Sequence, residues 1–146
     1  MIEITEHPID TTRVLASVRS DQAGANLLFV GTTREFTGDQ QTVRLEYDAY
    51  RTMALKEMEK LAAEANSKWE LTGCSLVHKV GTVGVGEASV AIAVSSAHRD
   101  SSFAAGRWLI DQLKIAVPIW KQEHWADGST AWVHPSQPAD SDATIR

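Results

Sequence analysis

The amino-acid sequence predicts an α/β fold, an α+β sandwich of one domain in which helices pack on a mixed or antiparallel sheet. Apolar runs of strand length occur at Gly24–Val30, Cys74–Val80 and Ala88–Ser95. Two longer stretches, 50–69 and 101–116, place apolar residues at helical spacing. Strands and helices alternate along the chain, and neither a repeat nor a linker divides its 146 residues, a length that one core can serve.

Each element has a local cause. Ile2 to Thr5 alternates apolar and polar side chains like a short strand, and Asp10 or Thr11 can cap a helix carrying Val14, Leu15 and Val18 on one face. Gly24–Val30 is a mostly apolar run, typical of a strand covered on both faces, and it ends at Gly31-Thr32-Thr33-Arg34. A polar loop is expected from Glu35 to Thr42, then a half-buried strand over the strictly alternating Val43–Tyr47. The longest helix runs from Tyr50 to Trp69, with Ala54, Met58, Leu61, Ala62 and Ala65 on one face. Glycines 81, 84 and 86 supply the backbone freedom of a turn or bulged connection between the strands Cys74–Val80 and Ala88–Ser95. Asp100 or Ser101 caps a helix reaching about Ala116, and Pro118, which lacks an N–H and restricts its predecessor, forbids continuation. Asp127-Gly128 turns the chain into a last strand, Thr130–His134. The domain is read as residues 1–134, and 135–146, polar with spaced prolines, as a flexible tail.

Composition narrows the function. With 43% hydrophobic and 23% charged residues the chain has an ordinary globular balance, and no apolar run approaches the roughly 20 residues that span a bilayer. The N-terminus lacks the basic start and apolar stretch of a secretory signal, so a cytoplasmic location is expected. A net charge of −5 argues against nonspecific nucleic-acid binding. The five histidines show no zinc-ligand spacing and the glycines match no nucleotide fingerprint, so neither metal nor cofactor is expected. The lone Cys74, in a strand, reads as inert core. Trp120, Trp125 and Trp132 fall close together, which points to core or interface.

Several cations stand at the ends of elements: Arg34 after a buried strand, His98 and Arg99 before a capped helix, Lys114 and Lys121 around the Pro118 break. Convergent cations in an acidic chain mark a site for a phosphorylated or carboxylated ligand.

The segment Leu113-Lys114-Ile115-Ala116-Val117-Pro118-Ile119-Trp120-Lys121-Gln122-Glu123 resembles the signature of the molybdopterin synthase large-subunit family. Phe29-Val30-Gly31-Thr32-Thr33-Arg34, Leu45-Glu46-Tyr47-Asp48-Ala49-Tyr50, Val85-Gly86-Glu87 and Ser96-Ala97-His98-Arg99 extend the likeness, in the family's order, from about Gly24 to Trp132. His78-Lys79-Val80-Gly81 departs from the family's usual His-Arg-Val-Gly but keeps the charge.

The resemblance implies a hammerhead-like fold with a small extra β-subdomain. It also implies a sulfurtransferase activity, in which sulfur passes from the C-terminal Gly-Gly thiocarboxylate of a small ubiquitin-like subunit to cyclic pyranopterin monophosphate, forming the molybdopterin dithiolene. By position, Lys114 and Lys121 match the family's catalytic lysines, and Arg34, His98 and Arg99 match residues that hold the pterin and its phosphate. Thr32, Thr33, Gln122 and Glu123 flank these as candidate substrate contacts. Because a helix from 101 to 114 would hold Arg99 and Lys114 about 20 Å apart, His98 and Arg99 are expected to serve a neighbouring copy in a homodimer within a heterotetramer. The rival is a noncatalytic homologue that binds an anion or a partner's tail.

Overall fold

The computed structural model describes residues 1–133, so the tail read at 135–146 and the end of the last strand at His134 lie outside the described residues. The elements run β1 (Ile2–Thr5), α1 (Thr11–Ala16), β2 (Ala25–Thr32), β3 (Phe36–Thr37), β4 (Gln40–Ala49), α2 (Arg51–Trp69), β5 (Gly73–Lys79), β6 (Gly81–Gly84), β7 (Ala88–Ser96), α3 (Arg99–Ala116), β8 (Ile119–Trp125) and β9 (Thr130–Val133).

Two sheets result. The first has the order β1-β5-β7-β2, with β1 parallel to β5 and the other pairs antiparallel. Its central strands β5 and β7 are buried on both faces, which explains their near-continuous apolar character, whereas β2, expected to be covered on both faces, is an edge strand that leaves Asn26, Phe29 and Thr32 exposed. Leu76, Val90, Ile92 and Val94 join Met58, Leu61 and Ala65 of α2 and Leu109, Ile110 and Leu113 of α3 in one core. The alternate residues Val77, Ala91 and Ala93 pack with Val14 and Val18 in a second. Trp69 and Trp108 meet edge to face between the two long helices, ring centroids 5.6 Å apart. Among the described residues, no helix is long and apolar enough to cross a membrane.

The second sheet, β3-β4-β8-β9 with β6 also on β4, is larger than the small subdomain expected. Three of its strands were not legible. Pro118 does end α3, but the chain re-enters at once as β8, pairing with β4 from Ala49↔Ile119 to Thr42↔Trp125. The glycine-rich segment is more than a turn: β6 pairs with β4 from Tyr47↔Gly81 to Arg44↔Gly84, carrying the chain from the first sheet to the second and back. Gly81 and Gly86, at either end of this excursion, hold φ of +87° and +81°, where a side chain would be strained. Inside the expected 35–42 loop, β3 and β4 form a tight hairpin. Helix α3 starts at Arg99 with His98 as N-cap, so Asp100 sits in the first turn, where its charge answers the helix dipole.

Candidate active site

A cavity of about 480 Å³ opens where the two sheets and the C-terminal half of α3 meet. Helix periodicity brings Arg107, Ile110, Asp111 and Lys114 to it from α3, and strand alternation brings Ile119, Lys121 and Glu123 from β8. On β4, Leu45 and Tyr47 stand directly beside Glu123 and Lys121 in register. The end of β2 supplies Thr32, Thr33 and Arg34, while β5 and β7 supply His78 and Ser89.

Backbone hydrogen bonds fix the β2 end. After the register shift at Gly31/Thr32, Thr33 N–H donates to the Glu87 carbonyl at 3.2 Å, and Gly86 N–H donates to the Thr33 carbonyl at 2.8 Å. That turn is itself held by a half-buried ion pair. Lys79 Nζ donates to Glu87 Oε2 at 2.5 Å and to the Thr82 carbonyl at 2.7 Å, and Glu87 Oε1 accepts from Gly84 N–H at 2.9 Å. The Lys79 hydrogen bond, with the Gly84 N–H behind it, holds the Glu87 carboxyl below its ordinary range.

Among the described residues the lining carries four cations, Arg34, Arg107, Lys114 and Lys121, against two carboxylates, Asp111 and Glu123, an excess of two positive charges in a chain of net charge −5. Arg107 pairs with Asp111 at 2.9 Å and Lys121 with Glu123 at 3.3 Å, the latter pair largely buried. Burial pushes the Tyr47 phenol up, opposed by its hydrogen bond to the Ser89 side chain. Burial pushes the His78 imidazole down to about 4, with the Lys114 charge acting in the same direction and the Lys79 carbonyl opposing.

Six of the nine residues singled out from the sequence line this cavity: Thr32, Thr33, Arg34, Lys114, Lys121 and Glu123. Gln122 does not. As β8 alternates, its side chain lies with Arg44, Glu46 and His124, its Oε1 3.2 Å from His124 Nε2. His98 and Arg99 are exposed at the other end of α3, about 22 Å along the axis from Lys114 at 1.5 Å per residue. Sequence reasoning missed Tyr47, His78 and Ser89 as lining residues. All three stand on strands in apolar or alternating runs, where the sequence signals core; only a polar group recurring on the inward face hinted otherwise. Cys74 does not line the cavity, and burial pushes its thiol up to about 11.

The chain matches the family described as MoaE protein over residues 4–116. It is 44% identical over 131 residues to the molybdopterin synthase catalytic subunit of Bacillus subtilis (strain 168), covering 90% of this chain and 83% of that one. To the molybdopterin synthase catalytic subunit of Emericella nidulans it is 39% identical over 131 residues, covering 90% and 67%. Its structure superposes on molybdopterin synthase from Staphylococcus aureus with a TM-score of 0.85 at 37% identity, over 90% and 95% of the two chains. The complex of subunits 1 and 2 of molybdopterin-converting factor from Helicobacter pylori contains the same fold, with a TM-score of 0.76 at 21% identity over 94% and 93%. A family match over most of the length, joined to relatives this similar across nearly the whole chain, establishes that the chain belongs to the MoaE protein family.

Proposed function

We propose that the chain is the catalytic subunit of a molybdopterin synthase, a sulfurtransferase that moves sulfur from the C-terminal thiocarboxylate of a small ubiquitin-like subunit to cyclic pyranopterin monophosphate. The observation that carries this is the cationic cavity of a family whose relatives bear that name, with Lys114 and Lys121 in its wall and Arg34 exposed beside them. Excess positive charge in a semi-enclosed, low-dielectric space attracts both the thiocarboxylate and the phosphate. It also stabilises negative charge that develops on oxygen as sulfur attacks the acceptor carbon.

In this reading Lys114 transfers the proton at the acceptor carbon and Lys121, aligned by Glu123, supports it. Arg34, Thr32 and Thr33 hold the substrate from the β2 end, and Gln122 acts from outside the cavity by way of its strand. His98 and Arg99 serve the cavity of a second copy in a homodimer, itself part of a heterotetramer with two small subunits. A cytoplasmic location belongs to the same proposal.

The test mixes the protein with a thiocarboxylated ubiquitin-like partner and cyclic pyranopterin monophosphate and follows dithiolene formation by mass spectrometry. Wild type converts the substrate and Lys114→Ala loses at least about a hundredfold in rate, the usual scale for a general acid or base. Full turnover by Lys114→Ala removes the assigned role, and a wild type that binds the partner without moving sulfur favours the noncatalytic homologue.

A further inference from the structure

His78 stands in the cavity wall with no part in the sulfur transfer outlined above. Its side chain is buried, the residue 5% exposed, and its ring meets that of Tyr47 edge to face at 5.0 Å. Nδ1 lies 2.7 Å from the backbone carbonyl oxygen of Lys79. A carbonyl oxygen only accepts, so Nδ1 carries the hydrogen, and in the neutral ring Nε2 is left with a bare lone pair. Among the described residues nothing hydrogen-bonds Nε2. Yet it is not one of the partnerless polar atoms sealed from solvent, which are Thr33 Oγ1 and Trp125 Nε1. Nε2 therefore opens on the cavity that His78 lines. Burial, reinforced by the Lys114 charge, keeps the ring neutral at physiological pH.

We propose that His78 Nε2 is a substrate-binding acceptor, taking a hydrogen bond from an N–H or O–H of the heterocycle lodged beside Lys114 and so fixing which end of the substrate meets the buried wall. The identity of the heterocycle rests on the sulfur-transfer reading; the geometry of the acceptor does not. A neutral nitrogen with a lone pair disfavours groups that only accept, such as a carboxylate, a thiocarboxylate or a fully ionised phosphate. Those are drawn instead to Arg34, Lys114 and Lys121. A pterin carries ring N–H and amino donors at one end and, in the phosphorylated substrate, its anion at the other. A ligand turned end for end would leave its donors unpaired and set its anion against the bare Nε2 lone pair.

The test uses the full chain with ring-¹⁵N-labelled histidine, the His78 signals being identified by their loss in His78→Gln. Near neutral pH the expected spectrum has Nδ1 protonated and Nε2 bare, and cyclic pyranopterin monophosphate moves Nε2 toward a hydrogen-bonded acceptor. In turnover, His78→Phe raises KM for the pterin about tenfold to a hundredfold with little change in kcat, the scale of one lost buried hydrogen bond. His78→Gln, whose carboxamide oxygen accepts in the same direction, recovers most of it. A hydrogen on Nε2, an Nε2 signal unmoved by excess pterin phosphate, or a wild-type KM in His78→Phe each overturns the proposal, whether or not sulfur moves. A shifted Nε2 in protein that transfers no sulfur retains the acceptor and removes the sulfur-transfer reading.

Discussion

Replacing Glu87 by glutamine tests whether the turn that carries Thr33 is held by charge. The Lys79 side chain is 8% exposed and its ammonium has two partners, the Thr82 carbonyl and the Glu87 carboxylate. Glu87→Gln preserves shape but removes the countercharge. Taking one partner from a fully buried pair costs about 3–5 kcal/mol. Here the Glu87 side chain is 31% exposed, so water reaches the pair and the amide oxygen still accepts, which lowers the expected loss to about 2 kcal/mol. For a chain of this size that lowers Tm by about 6 °C. Lys79→Met should cost only about 1 kcal/mol, because the carboxylate left behind is the more exposed partner and keeps the Gly84 N–H. Urea unfolding of wild type, both single variants and the double variant gives the coupling, which should reach about 1 kcal/mol. A coupling within error of zero refutes the argument. Because the folded Glu87 carboxyl lies below the ordinary 4.5, its contribution is complete above that pH and is lost as the pH falls through the folded value. The gap between wild type and Glu87→Gln should therefore narrow in acid.

Three further outcomes follow from the same geometry. The folded imidazole of His78, at about 4 against 6.5 unfolded, contributes stability that is complete above pH 6.5 and declines toward pH 4 by about 3 kcal/mol; His78→Phe should flatten that part of a stability-versus-pH curve, and an unchanged slope would exclude a buried neutral ring. A Cβ at Gly24 would meet the Ala97 carbonyl oxygen at 2.4 Å, a backbone atom that cannot swing aside, so Gly24→Ala should lose about 1–3 kcal/mol in denaturant unfolding. On β8, Glu123→Ala should lower sulfur transfer more than Gln122→Ala, since only Glu123 faces the cavity and pairs with Lys121; equal effects would mean the strand's facing does not matter.

The core was legible because its signals are local: helical spacing in 50–69 and apolar runs at β5 and β7 record burial directly. Lys114 and Lys121 were singled out by the family resemblance of the segment around Pro118, since a lysine at the end of an element is a weak signal by itself, and the structure brings both to the cavity wall. Three strands of the second sheet were not legible, for a physical reason. In β8 the cavity-facing residues Lys121 and Glu123 are as polar as the outward-facing Gln122 and His124, so alternation of hydrophobicity vanishes where a functional wall replaces a core face. Gly81–Gly84 offers a strand partner mainly through its backbone, leaving few side chains to report it. His78 failed the opposite way: embedded in an apolar run, it reads as core until the Lys79 carbonyl is seen to fix its hydrogen.

If Arg99 serves the same ligand as Lys114, as proposed, the geometry of helix α3 requires that one copy alone does not complete the site. Its eighteen residues are a rigid ruler with Arg99 in the first turn and Lys114 in the last, and about 22 Å between them exceeds the reach of both side chains toward one small ligand. A homodimer in which each copy offers His98 and Arg99 to its neighbour's cavity removes the conflict. It also makes a quantitative prediction for chains that are each inactive alone, Arg99→Ala and Lys114→Ala. After random reassortment about half the dimers are mixed, and each mixed dimer holds one cavity with an intact Lys114 and an intact Arg99 beside one with neither. Sulfur transfer should return to about a quarter of the wild-type rate. If both residues act within a single copy, no mixture contains an intact cavity and the rate stays at the level of the separate variants, however completely the chains exchange.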